Sequence, residues 1–315
     1  MLSRVANTVY WMSRYLERAE NYARFMDVNI SLAVDLPPLL IEQWEPLVVI
    51  TGDEKLFKLT YDQYTKEHVI QFLTFDINNP NSILSCLTHA RENARSIREI
   101  ISSEMWRYIN ELYLSVKESD VTNISNYTDF YHHIKSNTHL INGVMDATLP
   151  HNETFHFANL GRLLERADKT DRILDMKYFY LLPKVEDVGS PLDYLQWSAL
   201  LKSTSAYEAY RKTYGNLDYR TIIEFLIFNR TFPRAVHFCL IEADHSLHAI
   251  SNTQISTFNN AAEKEMGKII SQLNFNDIDD VFHYGLHEYL DDLQLKLNEL
   301  GKSIYRTFFS LQETF

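Results

Sequence analysis

Helix breakers are scarce in this sequence: glycine and proline occur only eight times each in 315 residues. A fold of many short strands needs more turn residues than that, so the scarcity points to long helices. Cysteine is nearly absent. Cys86 and Cys239 stand in unrelated apolar contexts, which argues against a disulfide framework or a paired-cysteine zinc site and suits two small core side chains. No apolar run approaches the roughly 20 residues that span a bilayer. The charged start MLSRVANTVYWMSRYLERAE lacks the apolar stretch of a secretion signal, so the expected location is the cytoplasm, with no membrane partner. Lysine- and arginine-rich runs are missing and the net charge is −12. A phosphate backbone would be repelled, and nucleic acid is not an expected partner. Neither a Gly-rich phosphate loop nor a Gly-x-Ser-x-Gly elbow occurs, and neither cysteine lies in a protease-like signature.

Helical periodicity is abundant. Val5, Val9, Met12, Leu16, Ala19, Ala23 and Met26 recur at steps of three and four, which predicts one helix from near Ser3 to about Leu32, stopped by Pro37-Pro38. Further helices are predicted over 38–45, 62–75, 81–118, 125–147, from Pro150 to Leu182, and from Gly189-Ser190-Pro191 to about Tyr214. The remainder reads as helices over 218–229, 232–254, 259–273 and 278–313, with Pro233 suited to a first helical turn. The best strand candidate, Leu47 to Ile50, is very short, and Thr51-Gly52-Asp53 marks a turn. No linker demands a domain boundary. The expectation is an all-α chain, a single compact multi-helix bundle over 1–315.

One segment occurs twice. RYLERAENYARFMD at 14–27 aligns with RLLERADKTDRILD at 162–175, with seven identities in fourteen positions, which reads as an internal pseudo-repeat. At about 100° per residue, Arg14, Glu17, Arg18, Asn21 and Arg24 share the face opposite the apolar stripe. Arg162, Glu165, Arg166, Lys169 and Arg172 do so in the second copy. Glu20 with Arg24, and Asp168 with Arg172, add i,i+4 pairs worth only about 0.2–0.5 kcal/mol each. Arg14 above Arg18 is a like-charge stack that a solvated face does not need. Two such faces could meet, so that Glu17 answers Arg166 and Glu165 answers Arg18, because arginine binds a carboxylate bidentately and keeps its charge. Arg/Glu faces are usually solvated, and buried networks usually fix register rather than perform chemistry.

Other constellations are thinner. Arg91, Arg95 and Arg98, with Glu104 farther along the same predicted helix, could hold an anion or complete the Arg/Glu network. Glu242 with His245 and His248, and Glu153 with His156, offer Glu-x-x-His spacing, but no partner glutamates free of arginine accompany them. His283, His287 and Glu288 lack the His-Glu-x-x-His order. No metal site is expected.

Four stretches, LSRVANTVYWMSRYLERAENYAR, RENARSIREIISSEMW, LGRLLERADKTDRILD and FPRAVHFCL, taken in order along nearly the whole chain, resemble the alpha-E family of bacterial proteins. The resemblance implies an all-helical protein. Its motif residues fall on Arg14, Glu17, Arg18 and Glu20, then Glu104, then Arg162, Glu165, Arg166 and Asp168. Genes of the family typically neighbour a circularly permuted ATP-grasp protein and a transglutaminase-like or related peptidase protein. That implies an accessory or partner role in peptide or amide ligation, with ATP and magnesium required by the partner ligase and no cofactor in this chain. The alternative within the same pathway is an enzyme that forms, transfers or hydrolyses a peptide or amide bond. In that reading Glu17, Glu104 or Glu165 serves as general acid or base. Arg14, Arg18, Arg24, Arg95, Arg162, Arg166 and Arg172, with Glu20 and Asp168, then bind a peptide or anionic ligand or form a structural network. A carboxylate/His metal-binding helical protein ranks below both.

Overall fold

The structure is a computed structural model that describes residues 1–35, 44–179 and 189–310. Its helices are α1 (Ser3–Asp35), α2 (Glu45–Val49), α3 (Glu54–Thr60), α4 (Lys66–Ile70), α5 (Ile83–Ser96), α6 (Ser103–Lys117), α7 (Tyr127–Thr148) and α8 (Glu153–Phe179). There follow α9 (Pro191–Ser203), α10 (Tyr207–Tyr214), α11 (Tyr219–Phe228), α12 (Val236–Ser251), α13 (Ala261–Phe275), α14 (Ile278–Tyr284) and α15 (Leu286–Ile304). Single π-helical turns follow α4 and α15, at Gln71–Phe75 and Tyr305–Phe309. Among the described residues there is no strand, and no helix is long and apolar enough to cross a membrane.

The apolar stripe of α1 buries almost completely: Val9, Met12, Ala19, Ala23 and Met26 are fully enclosed and Leu16 nearly so. The long helices α1 and α8 form the centre. They run side by side in the same direction, since the Met1 amino group meets Glu153, Tyr10 lies against Gly161 and Arg14 meets Glu165. Helices α5 and α7 pack on α1, while α12 and α15 pack on α8. The buried hydrophobic residues form one continuous core, and the chain is a compact helical bundle.

Several boundaries differ from expectation for local reasons. Leu47 to Ile50 is no strand: Pro46 sits in the first turn of α2, and Leu47 and Val48 are buried from that helix. The predicted 81–118 helix is two. The chain leaves the helix at Ile97, and Ser102 restarts it by accepting a hydrogen bond from the Met105 amide at 3.1 Å. The 190–214 helix breaks between Ser203 and Tyr207, where Ser205 takes a left-handed φ of 53°. Residues 232–235 precede α12 as a turn. Gly285, at φ 102°, separates α14 from α15 within the predicted 278–313 helix. The 62–75 helix begins only at Lys66, and α3 was not anticipated. The 38–45 prediction, apart from its last two residues, and Pro37-Pro38 lie outside the described residues, as does the end of the 150–182 helix.

Candidate functional site

The charged faces of the two similar segments meet across the α1–α8 contact. Arg166 Nε and Nη2 donate to Glu17 Oε1 and Oε2 at 2.8 and 2.9 Å. Reciprocally, Arg18 Nε and Nη2 donate to Glu165 Oε1 and Oε2 at 2.6 and 3.1 Å. Each helix therefore supplies a carboxylate to the other's planar guanidinium fork, a geometry that a lysine could not reproduce.

The rest of the arrangement is not symmetric. Arg14 Nε adds a third bond to Glu165 at 2.7 Å, and Lys169 Nζ stands 3.5 Å from the same carboxylate. The matching residue of the second segment, Arg162, donates instead to Asn159 Oδ1 at 2.6 Å, and its Nε has no hydrogen-bond partner. Glu17 is completed by Asn21 at 3.1 Å and by Arg234, 3.5 Å away, from the turn before α12. Arg234 also donates to Glu20 Oε2 at 2.8 Å, while Arg24 and His139 share Glu20 Oε1. Asp168 accepts from Lys169 at 2.8 Å and from Arg172 at 3.1 Å.

Burial decides what these carboxylates can do. Glu17, Glu20 and Glu165 are 2, 1 and 0 % exposed. Burial alone would raise their pKa values, but the guanidiniums outweigh it. Arg166 and Arg234 hold Glu17 below the usual range, Arg234 and Arg24 hold Glu20 well below it, and Arg18, Arg14 and Lys169 do the same for Glu165. Asp168, likewise desolvated, is brought down to about 2 by Lys169 and Arg172. All four are ionised at neutral pH and engaged by cations. Arg162 and Arg234 differ from Arg14, Arg18 and Arg166, because burial and neighbouring guanidiniums lower their pKa values. A 460 Å³ cleft lined by Tyr10, Trp11 and Lys302 reaches Arg14 and Asp168 but neither Glu17 nor Glu165.

Two sequence candidates stand apart from this cluster. Glu104 is exposed in the first turn of α6, where the Tyr108 hydroxyl donates to it at 3.5 Å. It shares no helix with Arg91, because of the break at 97–102. Arg95 is exposed and pairs with Glu92 at 2.6 Å. Arg91 and Arg98 lie over the Trp106 ring rather than meeting the acids of the two segments.

The remaining histidine and cysteine candidates lie elsewhere in the bundle. Glu242 and His245 stand 3.4 Å apart on an open surface, Glu153 serves the amino terminus, and His287 pairs with Asp175 at 2.7 Å. Among the described residues no three His, Cys, Asp or Glu side chains group as metal ligands would. Cys86 and Cys239 are buried, each thiol donating to a backbone carbonyl at 3.4 Å, and burial pushes both up to about 12. Sequence reading missed Arg234, which the 232–254 helix prediction puts in a first turn but which lies in the turn before α12, and Gly161, which lets the Tyr10 backbone approach.

Asp171 on α8 is a different case. It is fully buried and neither carboxyl oxygen has a well-formed hydrogen bond. Burial and the Asp168 charge push its pKa well above the usual range, with the Gln294 amide opposing them only in part. A raised carboxyl binds its proton more tightly in the folded state, so stability falls as pH rises from about 4 towards the folded value. Asp171→Asn mimics the protonated side chain. It is expected to match the wild type near about pH 4 and to exceed it increasingly above, by at most about 1.4 kcal/mol per pH unit. Urea unfolding at about pH 5 and about pH 8 checks this, and a pH-independent difference would reject it.

Comparison with known proteins gives one match. No curated protein and no solved structure matches the chain. A family model named Alpha-E, described as a predicted alpha-helical domain with a conserved ER motif, matches residues 1–309. The two Glu-Arg dipeptides of this sequence, Glu17-Arg18 and Glu165-Arg166, are the reciprocal pairs at the centre of the bundle. With the match spanning essentially the whole chain, the protein belongs to the Alpha-E family.

Proposed function

We propose that this chain is an accessory component of an ATP-grasp-linked peptide or amide ligation system, and that its Arg/Glu network holds the bundle in one arrangement. One observation carries the accessory part. Glu165, with no exposed surface, is bonded by Arg14 and Arg18 with Lys169 beside it, so it has neither a proton to give nor an open path to a substrate. Glu17 is enclosed in the same way. General acid–base work calls for a carboxyl near neutral pKa, and cations oppose that here. The ligation part rests on the gene neighbourhood typical of alpha-E proteins. A circularly permuted ATP-grasp protein would then supply ATP and magnesium chemistry, with a transglutaminase-like protein as the further partner.

Co-expression of the chain with the neighbouring ATP-grasp protein tests the proposal. Co-purification, together with a change in the ligase's rate or product when this chain is added, is the expected result. An ATP-grasp protein that neither binds the chain nor changes its ligation products would overturn it.

A further inference from the structure

The 460 Å³ cleft that reaches Arg14 lies between α1, α8, the last turns of α15 and the π-helical turn that follows. Its size is that of a small-molecule site, roughly 300–1,000 Å³. Four aromatic rings line it. Tyr10 and Phe309 are buried with their ring centres 5.3 Å apart, and Trp11 meets Tyr10 edge-on at 5.8 Å. Tyr305 is more than half exposed. On α15, Gly301 leaves open space where a Cβ would meet nothing within 4 Å.

Arg14 still has donors to give. Its Nε donates to Glu165 and its Nη1 to the Tyr10 hydroxyl at 3.1 Å, so Nη2 and one N–H of Nη1 have no partner among the described residues. The guanidinium carbon lies 5.1 Å from the centre of the Trp11 ring, which also lines the cleft. The charge behind it is unbalanced. Arg14, Arg18, Lys169 and Arg172 make ion pairs with only two carboxylates, Glu165 and Asp168. Asp53 reaches Arg18 through the Asn81 side chain, and the cations still outnumber the acids. Of these four cations only Arg14 lines the cleft, so the surplus positive charge meets solvent there, in a chain whose net charge is −12. Asp168 also lines it, but both its oxygens accept from Arg172 and one accepts from Lys169 as well.

We propose that this cleft binds a small aromatic carboxylate. The carboxylate accepts from Nη1 and Nη2 of Arg14, and the ring lies against Trp11, Tyr305 and Phe309. Adjacent nitrogens of a single guanidinium match the two oxygens of a carboxylate, and edge-on or offset ring contacts suit the walls. An aromatic amine would meet the positive surplus and find Asp168 already taken. A phosphate monoester suits the cleft less, because its second charge would face the Asp168 carboxylate.

Calorimetric titration of the full chain with 3-phenylpropionate, its neutral amide, phenethylamine and phenyl phosphate tests this. The acid should bind with a Kd below about 1 mM, and the amide at least ~10-fold more weakly, the size of one charge-assisted contact. Gly301→Leu sends a side chain into the open space and replaces a glycine inside a helix, so helical circular dichroism should be kept while binding of the acid is lost. Tyr305→Ala removes one exposed wall and should weaken the acid by ~3–10-fold. Failure of the acid to bind, equal binding of acid and amide, tighter binding of phenethylamine or phenyl phosphate, or undiminished binding by either variant would each overturn the proposal. The titration uses this chain alone and leaves the Arg/Glu network unaltered, so its failure is distinguishable from failure of the ligation reading.

Discussion

Glu165→Gln is expected to lower the unfolding free energy by about 3–5 kcal/mol, the cost of breaking a buried ion pair from one side. The substitution keeps the side chain's size and one acceptor oxygen, removes the charge, and sets an NH2 donor where the other oxygen accepted from arginine. What it leaves is Arg14 and Arg18 without the carboxylate they share in a largely buried site, while Lys169 keeps its pair with Asp168. Surface pairs of the same residue types are worth about 0–1 kcal/mol, so the magnitude separates a load-carrying buried cluster from a solvated one. Arg95→Ala, which breaks only the exposed pair with Glu92, is the internal comparison and should cost less than about 1 kcal/mol. Denaturant unfolding followed by circular dichroism and by tryptophan fluorescence makes the measurement, and a loss below about 1 kcal/mol for Glu165→Gln would falsify the structural role.

The same residue fixes a pH signature. Its folded pKa lies well below the ordinary carboxylate value, so its contribution is fully present above the unfolded value of about 4.3. As pH falls through the folded value that contribution disappears, and the gap between wild type and Glu165→Gln should close in acid. This runs opposite to Asp171, whose raised pKa makes the wild type relatively weaker as pH climbs. The two variants together separate a carboxylate stabilised by cations from a carboxyl kept protonated by burial.

Much of the bundle could be read from residue order, because long stripes such as that of α1 repeat at helical steps and Pro, Gly and Asn mark the major stops. What escaped was local. Ser102 caps α6 in a stretch whose periodicity runs on unbroken, and Ser205 adopts φ 53° with no glycine to announce it. The site was legible where it repeats: Glu17, Arg18, Glu165 and Arg166 were found because two copies could be compared. Arg234 and His139 reach the same cluster from other elements, and no second copy of their segments exists to single them out. Glu104 and Arg95 stand outside the cluster: both are exposed, and the α5–α6 break puts them on different helices.

Gly161→Ala should destabilise the fold by at least about 2 kcal/mol, against the direction that helix propensity sets. Alanine is favoured over glycine in a helix interior by roughly 1 kcal/mol, so a mid-helix glycine without packing demands gains from the change. Gly143, on α7, is such a position: a Cβ there would meet nothing within 4 Å, and Gly143→Ala should be neutral or stabilising. At Gly161 the Cβ would lie 2.4 Å from the Tyr10 carbonyl oxygen and 3.1 Å from its carbon. Those atoms belong to the α1 backbone, which can yield only if α1 moves away from α8. One turn further along each helix stand Arg14 and Glu165, whose 2.7 Å bond depends on that spacing. The clash should therefore weaken the ion cluster as well as the local packing. A cycle with Glu165→Gln reads this directly: if the alanine has already loosened the pairs, the double variant will lose less than the two single losses combined. Strict additivity would place the effect of Gly161 in the helix contact alone, and a stabilising alanine would show that α1 and α8 do not approach as described.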